Sequence, residues 1–355
     1  MPSIATSTLP HGEEAREILG EALFAYLVGR ARDLPPDAAD ANEQDLRSYR
    51  LLPRVMTGAA GISLATALCG RTLAAPLGVG AFAGDRVFHA DGLLPIARAC
   101  RRAGLPLVVS EETMTPLAAI TAEHRDCWLQ LRAAGPPNRI RRLVDEAAAA
   151  GAAGLVLTVL APVHPAPGLQ PGGYSIGADI ARRGSTTIGS TDPGVEALPP
   201  FPAWSWSDLA AIAAHAGEAG LPLLAKGVLH PADAAAAERA GCAGVVVSNI
   251  GLRQSGRWAT PASQLPSVRA ASAGAVLLDG GVRHGVDAVV ARCLGADLSL
   301  AVRPVVTALV AGGEAAVHDL LARWLDEIAA ISSWCGVSSV TDLDGGFVLH
   351  GGVQP

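Results

Sequence analysis

Short apolar runs bounded by turn signals recur along the chain. In order they are APLGVGAF (75–82), PLVVSEE (106–112), CWLQLRA (127–133), GLVLTVLA (154–161), PLLAKG (222–227), GVVVSN (244–249), AVLLDGG (275–281) and ADLSLAV (296–302). They are apolar nearly throughout instead of alternating, the pattern of parallel strands covered on both faces. Helical stretches at 91–103, 137–150, 207–219, 230–240 and 284–294 lie between them. Several close on a glycine just before the next strand: Ala103-Gly104, Ala219-Gly220, Ala240-Gly241 and Leu294-Gly295. Eight β–α units predict a closed (β/α)8 TIM barrel, with an open doubly wound sheet as the competing arrangement.

The predicted organisation has three parts. Residues 1–74 form an N-terminal helical cap (12–31) with connectors, 75–335 the barrel, and 336–355 a C-terminal tail. After the fourth strand, residues 163–206 form a long loop rich in Gly, Pro, Ser and Thr, the length at which loops act as lids or binding loops.

Function in such barrels sits at the C-terminal ends of the strands. Those ends carry Gly80 and Ala81, Ser110 to Glu112, Gln130 and Arg132, Thr158 and Leu160, Lys226, Asn249, Ile250 and Arg253, then Asp279 to Gly281 with Arg283, and Arg303. The rim is polar, which a purely structural rim need not be.

Composition narrows the partners. A net charge of −6 provides no basic stripe for nucleic acid. The N-terminus has no basic start followed by an apolar run, so no signal peptide is expected. The most apolar stretch, 147–163, falls short of the ~18–20 residues of a membrane helix and is broken by glycines and Pro162. Six widely spaced cysteines with no C-x-x-C pair read as reduced thiols of a cytoplasmic protein. The histidines show no metal spacing, and no G-x-S-x-G elbow is present. His230, which opens a helix before Pro231, reads as a capping or surface residue.

Of 27 basic residues only Lys226 is lysine. A chain that otherwise uses arginine places its one compact ammonium at the end of an apolar strand, where a buried lysine needs an anion. It is therefore a candidate point charge for an anionic cofactor or substrate. Paired glycines followed by Arg283 after strand 7, and Arg303 after strand 8, suggest a phosphate site, because barrels frequently bind phosphate there.

The segments "LLAKGVLHPADAAAAERAGCAGVVVSNIGLRQ", "VLLDGGVRHGVDAVVARCLGAD" and "RPVV" together resemble the FMN-dependent α-hydroxy-acid oxidase/dehydrogenase family. Weaker matches, "AYLVGRA", "LLPRV", "VVSEE", "WLQL", "LTVLAP" and "WSWSDL", fall in the same order over most of residues 12–340. The resemblance implies non-covalent FMN. Val79, Gly80 and Ala81 would line it through their backbone, beside Ser110, Gln130 and Thr158. Lys226 would stabilise the reduced flavin, and Asp279, Gly281, Arg283 and Arg303 would hold ribityl and phosphate. Tyr26 and Arg253 match the family's carboxylate-binding pair, so a small anionic substrate is implied. A homo-oligomer, a tetramer, is implied as well. Val302 stands where the family has glycine beside the arginine.

The chain departs from the pattern in its acid–base half. Ile250 replaces the histidine that takes the substrate hydroxyl proton, Leu160 its partner aspartate, and Arg132 the active-site tyrosine. A mixed stretch at His164–Pro167 replaces the second substrate arginine. Ordinary 2-hydroxy-acid oxidation is therefore expected to be weak or absent. The favoured reading is an FMN-dependent oxidoreductase of altered acid–base chemistry, acting on a non-standard carboxylate-bearing substrate in specialised metabolism. Glu112 is its candidate base, or else an ion-pair partner of Arg132 or of another rim arginine. The alternatives are a redox-neutral FMN-dependent isomerase and a non-catalytic flavin-binding partner protein.

Overall fold

The computed structural model describes residues 9–29, 38–160, 174–190 and 204–351. Eight parallel strands close into a barrel: β1 (Leu77–Val79), β2 (Leu107–Ser110), β3 (Cys127–Arg132), β4 (Gly154–Thr158), β5 (Leu223–Val228), β6 (Gly244–Ser248), β7 (Ala275–Asp279) and β8 (Leu298–Ala301). Each lies within one of the eight expected runs except β5, which extends one residue further, to Val228. Closure of β8 against β1, with Ser299 beside Leu77 and Ala301 beside Val79, excludes the open sheet.

The strands are apolar throughout because both faces are buried. Outward residues such as Val109, Leu131, Leu157, Val247 and Leu278 pack under the surrounding helices. Inward residues Val108, Trp128, Val156, Leu224, Val246, Leu277 and Leu298 fill the barrel centre. The short antiparallel hairpin Thr66–Leu68/Arg71–Leu73 adds Leu68 and Leu73 to this central cluster.

A strand has a side-chain period of two, so the next inward position on each strand belongs to the same face. Two residues beyond the apolar layer stand Ser110, Gln130, Thr158, Lys226, Ser248 and Asp279. All six are buried. Apolar below and polar above, the barrel's inner face places a polar layer at the C-terminal ends.

The N-terminal part supplies two helices, α1 (Gly12–Val28), kinked at Gly20, and α2 (Ala41–Ser48). Within the expected 163–206 loop, residues 174–190 include a helix, Ile176–Arg182, capped by Ser175. Ile176 and Ile180 pack with Phe24 and Leu27 of α1 and with Phe88 and Val310. That part is therefore a docked element, because it carries its own apolar face. The substitution at His164–Pro167 lies outside the described residues.

The long helix Arg303–Trp334 breaks its helical geometry at Gly312 and Gly313. Among the described residues it is the one helix long and apolar enough to cross a membrane. Val305, Leu309, Leu320, Leu321 and Trp324 of this helix belong to the main core, which accounts for its apolarity. Within the expected C-terminal tail, Val348–His350 pairs antiparallel with Tyr49–Leu51.

Candidate active site

A cavity of about 370 Å³ opens at the C-terminal ends of the strands. Its walls include Tyr26, Ala81, Ser110, Glu112, Gln130, Arg132, Thr158, Leu160, Lys226, Ile250, Arg253, Asp279, Gly281, Arg283 and Arg303. Nearly every candidate residue from the sequence thus converges on one space. Val79, which ends β1, and Gly80 after it are not among these walls: Val79 is buried, and a Cβ on Gly80 would come within 2.7 Å of Val302 Cγ2. Val302 therefore fills the room that Gly80 leaves and itself lines the cavity.

Lys226 and Asp279 lie on strands that β6 separates. Lys226 Nζ sits 2.6 Å from Asp279 Oδ2, which also accepts a bond from Ser248 Oγ at 3.0 Å. The single lysine thus has the buried counter-ion that its position demanded. Beside it, Gly227 takes φ +96°, and a Cβ there would lie 2.3 Å from Leu160 Cβ. Leu160 thus packs directly on the strand bulge next to the lysine. Gln130 donates to Thr158 Oγ1 at 2.9 Å across the third and fourth strands.

The exit of β6 is a tight turn. Ile250, Gly251 and Leu252 all have positive φ, at 52°, 65° and 60°. Asn249 holds the turn: its side chain accepts from Leu252 N at 3.2 Å and donates to Ala259 O at 3.1 Å. Asn249 also exchanges two side-chain amide bonds, of 2.8 and 2.7 Å, with Asn42 of α2. Ile250, turned into this geometry, offers the cavity only an aliphatic surface.

Arg253 follows the turn. Its Nη2 donates to Tyr26 O at 3.1 Å, and its guanidinium carbon lies 4.7 Å from the centre of the Tyr26 ring. Arg253 Nη1 and Gln254 Oε1 are buried without a hydrogen-bond partner among the described residues. Burial pushes the Tyr26 phenol up from its ordinary range, against the pull of Arg253, so it stays a proton donor at neutral pH. An unpaired buried guanidinium N–H is costly, and an anionic ligand is what satisfies it.

On the opposite wall, Glu112 Oε2 accepts from Arg132 Nη2 at 3.0 Å. The candidate base is thus held in an ion pair. Behind it, the fully buried Glu111 pairs with Arg139 at 2.6 Å and accepts from Arg132 N. Burial pushes the Glu111 carboxyl up, and Arg139 opposes this.

The two expected phosphate-binding arginines converge as well. Arg283 Nη2 and Arg303 Nη1 both reach Asp40 Oδ2, at 2.9 and 2.5 Å. Arg303 also donates to the carbonyls of Leu27, Gly29 and Gly251. The glycine pair after β7 is covered by α2: a Cβ on Gly281 would fall 2.4 Å from Asn42 O. Asp40 and Asn42 are site residues that sequence reasoning missed, although the Asp40-x-x-Glu43 spacing carries a helix-start signal.

A family model described as FMN-dependent dehydrogenase matches residues 15–350. The chain belongs to the FMN-dependent dehydrogenase family. Among curated relatives, 4-hydroxymandelate oxidase of Amycolatopsis orientalis is 30% identical over 92% of this chain and 93% of that protein. L-lactate oxidase of Nostoc sp. is 30% identical, covering 95% of each. Crystal structures of mandelate oxidase superpose closely. The one with (S)-4-hydroxymandelic acid gives a TM-score of 0.78 at 30% identity over 93% of this chain and 95% of that one.

FMN is the cofactor of this family and of this member. The donors present fit it. Two guanidinium groups close on one anionic oxygen, which is the chemistry that a phosphate group requires. A buried ammonium lies in the same cavity, beside polar inner-face residues from β2, β3 and β4.

Proposed function

We propose that this FMN-dependent dehydrogenase oxidises a small carboxylate-bearing molecule other than the ordinary 2-hydroxy acids, in specialised metabolism. The observation that carries the reading is the aliphatic pair Ile250 and Leu160 in a cavity whose Arg253 still has an unsatisfied N–H.

FMN, when bound, would supply the hydride acceptor. Arg253 and the protonated Tyr26 hold the substrate carboxylate. Lys226, Ser110, Gln130 and Thr158 would hold the flavin side, and Arg283 and Arg303 its phosphate. For a 2-hydroxy acid, a proton must leave the hydroxyl together with the hydride. Neither Ile250 nor Leu160 can accept it, and general-base catalysis is typically worth ~10²–10⁴-fold. A substrate that carries its own activation meets the condition, for example an amine whose lone pair assists departure of the hydride. Glu112 is the ionisable group available for a proton, provided that the substrate takes over its contact with Arg132.

The test is anaerobic mixing of the FMN-loaded protein with lactate, glycolate or mandelate while flavin absorbance is followed. The expected result is little or no bleaching over minutes. Rapid bleaching by any of the three contradicts the proposal. If no amine or activated carboxylate bleaches the flavin either, the oxidoreductase reading gives way to the redox-neutral or the non-catalytic one.

A further inference from the structure

We propose that Asp40 is an internal anion that competes with the flavin phosphate for Arg283 and Arg303. On this view FMN binding requires the N-terminus of α2 to release the cradle. The inference rests on FMN being the cofactor and concerns how the site accepts it.

One carboxylate oxygen, Asp40 Oδ2, collects both guanidinium groups. Asp40 and Arg283 are buried, with side-chain exposures of 7% and 5%, and Arg303 is mostly so, at 11%. The other oxygen, Oδ1, accepts from Asn42 N at 3.1 Å, so the same residue caps α2. Glu43, one turn into the helix, lies 3.5 Å from Arg283 Nε. Among the described residues, two arginines thus face two carboxylates. A flavin phosphate brings further negative charge of about −1.5 to −2 at neutral pH. Placed beside Asp40 and Glu43 in a buried space, it would meet like charges with little water to screen them. Phosphate and Asp40 are therefore alternatives on the same donors.

The rest of α2 is fastened to the site, so release is resisted. Asn42 O rests on Gly281, and the Asn42 amide is paired with Asn249 at the turn that carries Ile250 and Arg253. The partners of Asp40 lie 243 and 263 residues away in sequence, so the contact exists only in the folded chain.

The discriminating variant is Asp40→Asn. It keeps a side-chain oxygen to cap α2 and removes the charge. FMN affinity of the apoprotein is measured by quenching of flavin fluorescence, and inorganic phosphate by the shift in melting temperature. Asp40→Asn is expected to bind FMN about 10-fold tighter or more than the wild type, and to gain more melting temperature from phosphate. Affinity unchanged within about two-fold, or weakened, overturns the proposal while leaving FMN as the cofactor. If neither folded protein binds FMN, both the cofactor assignment and the proposal fall. Should Asp40→Asn not fold, the wild type decides by its preference for FMN over riboflavin. A preference below about 10-fold is expected, because displacing Asp40 offsets the phosphate contacts. A preference of about 10³-fold or more overturns it.

Discussion

Replacing Lys226 by methionine tests the buried pair at the heart of the site. The ammonium lies 2.6 Å from Asp279 Oδ2, with side-chain exposures of 9% and 12%. At an effective dielectric of about 20, that separation corresponds to a gross attraction of about 6 kcal/mol, which desolvation largely offsets in the intact pair. Removing one partner gives a different balance. Methionine fills much of the volume but leaves Asp279 buried without its ammonium, with the 3.0 Å bond from Ser248 still in place. Breaking a buried pair in this way costs about 3–5 kcal/mol. With an unfolding entropy of about 2.1 cal/mol/K per residue over 355 residues, this lowers the melting temperature by roughly 4–7 °C. Urea unfolding followed by tryptophan fluorescence gives the free-energy change directly. The double variant Lys226→Met/Asp279→Asn removes both charges and is expected to recover most of the loss. A loss below about 1 kcal/mol for Lys226→Met alone, or a double variant no better than the single one, would refute the buried-pair account.

Ile250→His combined with Leu160→Asp restores a base and its partner; lactate or mandelate is then expected to bleach the flavin measurably faster than in the wild type, and no gain on any hydroxy acid means that the pocket differs in more than its base. Glu112→Gln is expected to slow flavin reduction by the true substrate ~10²–10⁴-fold in stopped-flow measurements. A change of less than about three-fold would leave Glu112 as the counter-ion of Arg132 alone. Burial pushes the thiols of Cys127, Cys242 and Cys293 up to about 12, and that of Cys100 higher still. Raised values keep these groups protonated through pH 8, so a native-state thiol titration should label the half-buried Cys69 first and the others only on unfolding. Fast labelling of three or more cysteines in the folded protein contradicts this.

The eight strands were legible because a barrel buries both faces of each strand and so removes polar residues from it. Helices that close on a glycine were legible from that stop, whereas Leu117–Glu123 and Pro261–Ala270, which end at His124 and Ala271, were not among the expected stretches. Lys226 stood out as the one lysine in an apolar run, and it lies in the cavity as its chemistry required. His230 caps its helix, accepting from Ala232 N at 3.1 Å. Other elements carried weaker signals. The 163–206 segment reads as loop by composition, yet Ile176 and Ile180 give it a face that docks on α1. The short polar helix α2 has little apolar pattern to announce it. Its importance comes from what lies opposite.

By itself, the sequence determined the eight buried strands, the polar residues at their C-terminal ends and the aliphatic Ile250 and Leu160 among them. Each is a property of residue type and strand period, and both are written locally in the chain. Only the tertiary structure decided how the charges pair. Lys226 meets Asp279, Glu112 meets Arg132, and Arg283 and Arg303 meet Asp40. Local pattern places a charge at a rim, but its partner is set by which distant segment packs over it. That is why the carboxylate in the phosphate cradle became visible only once the chain was folded.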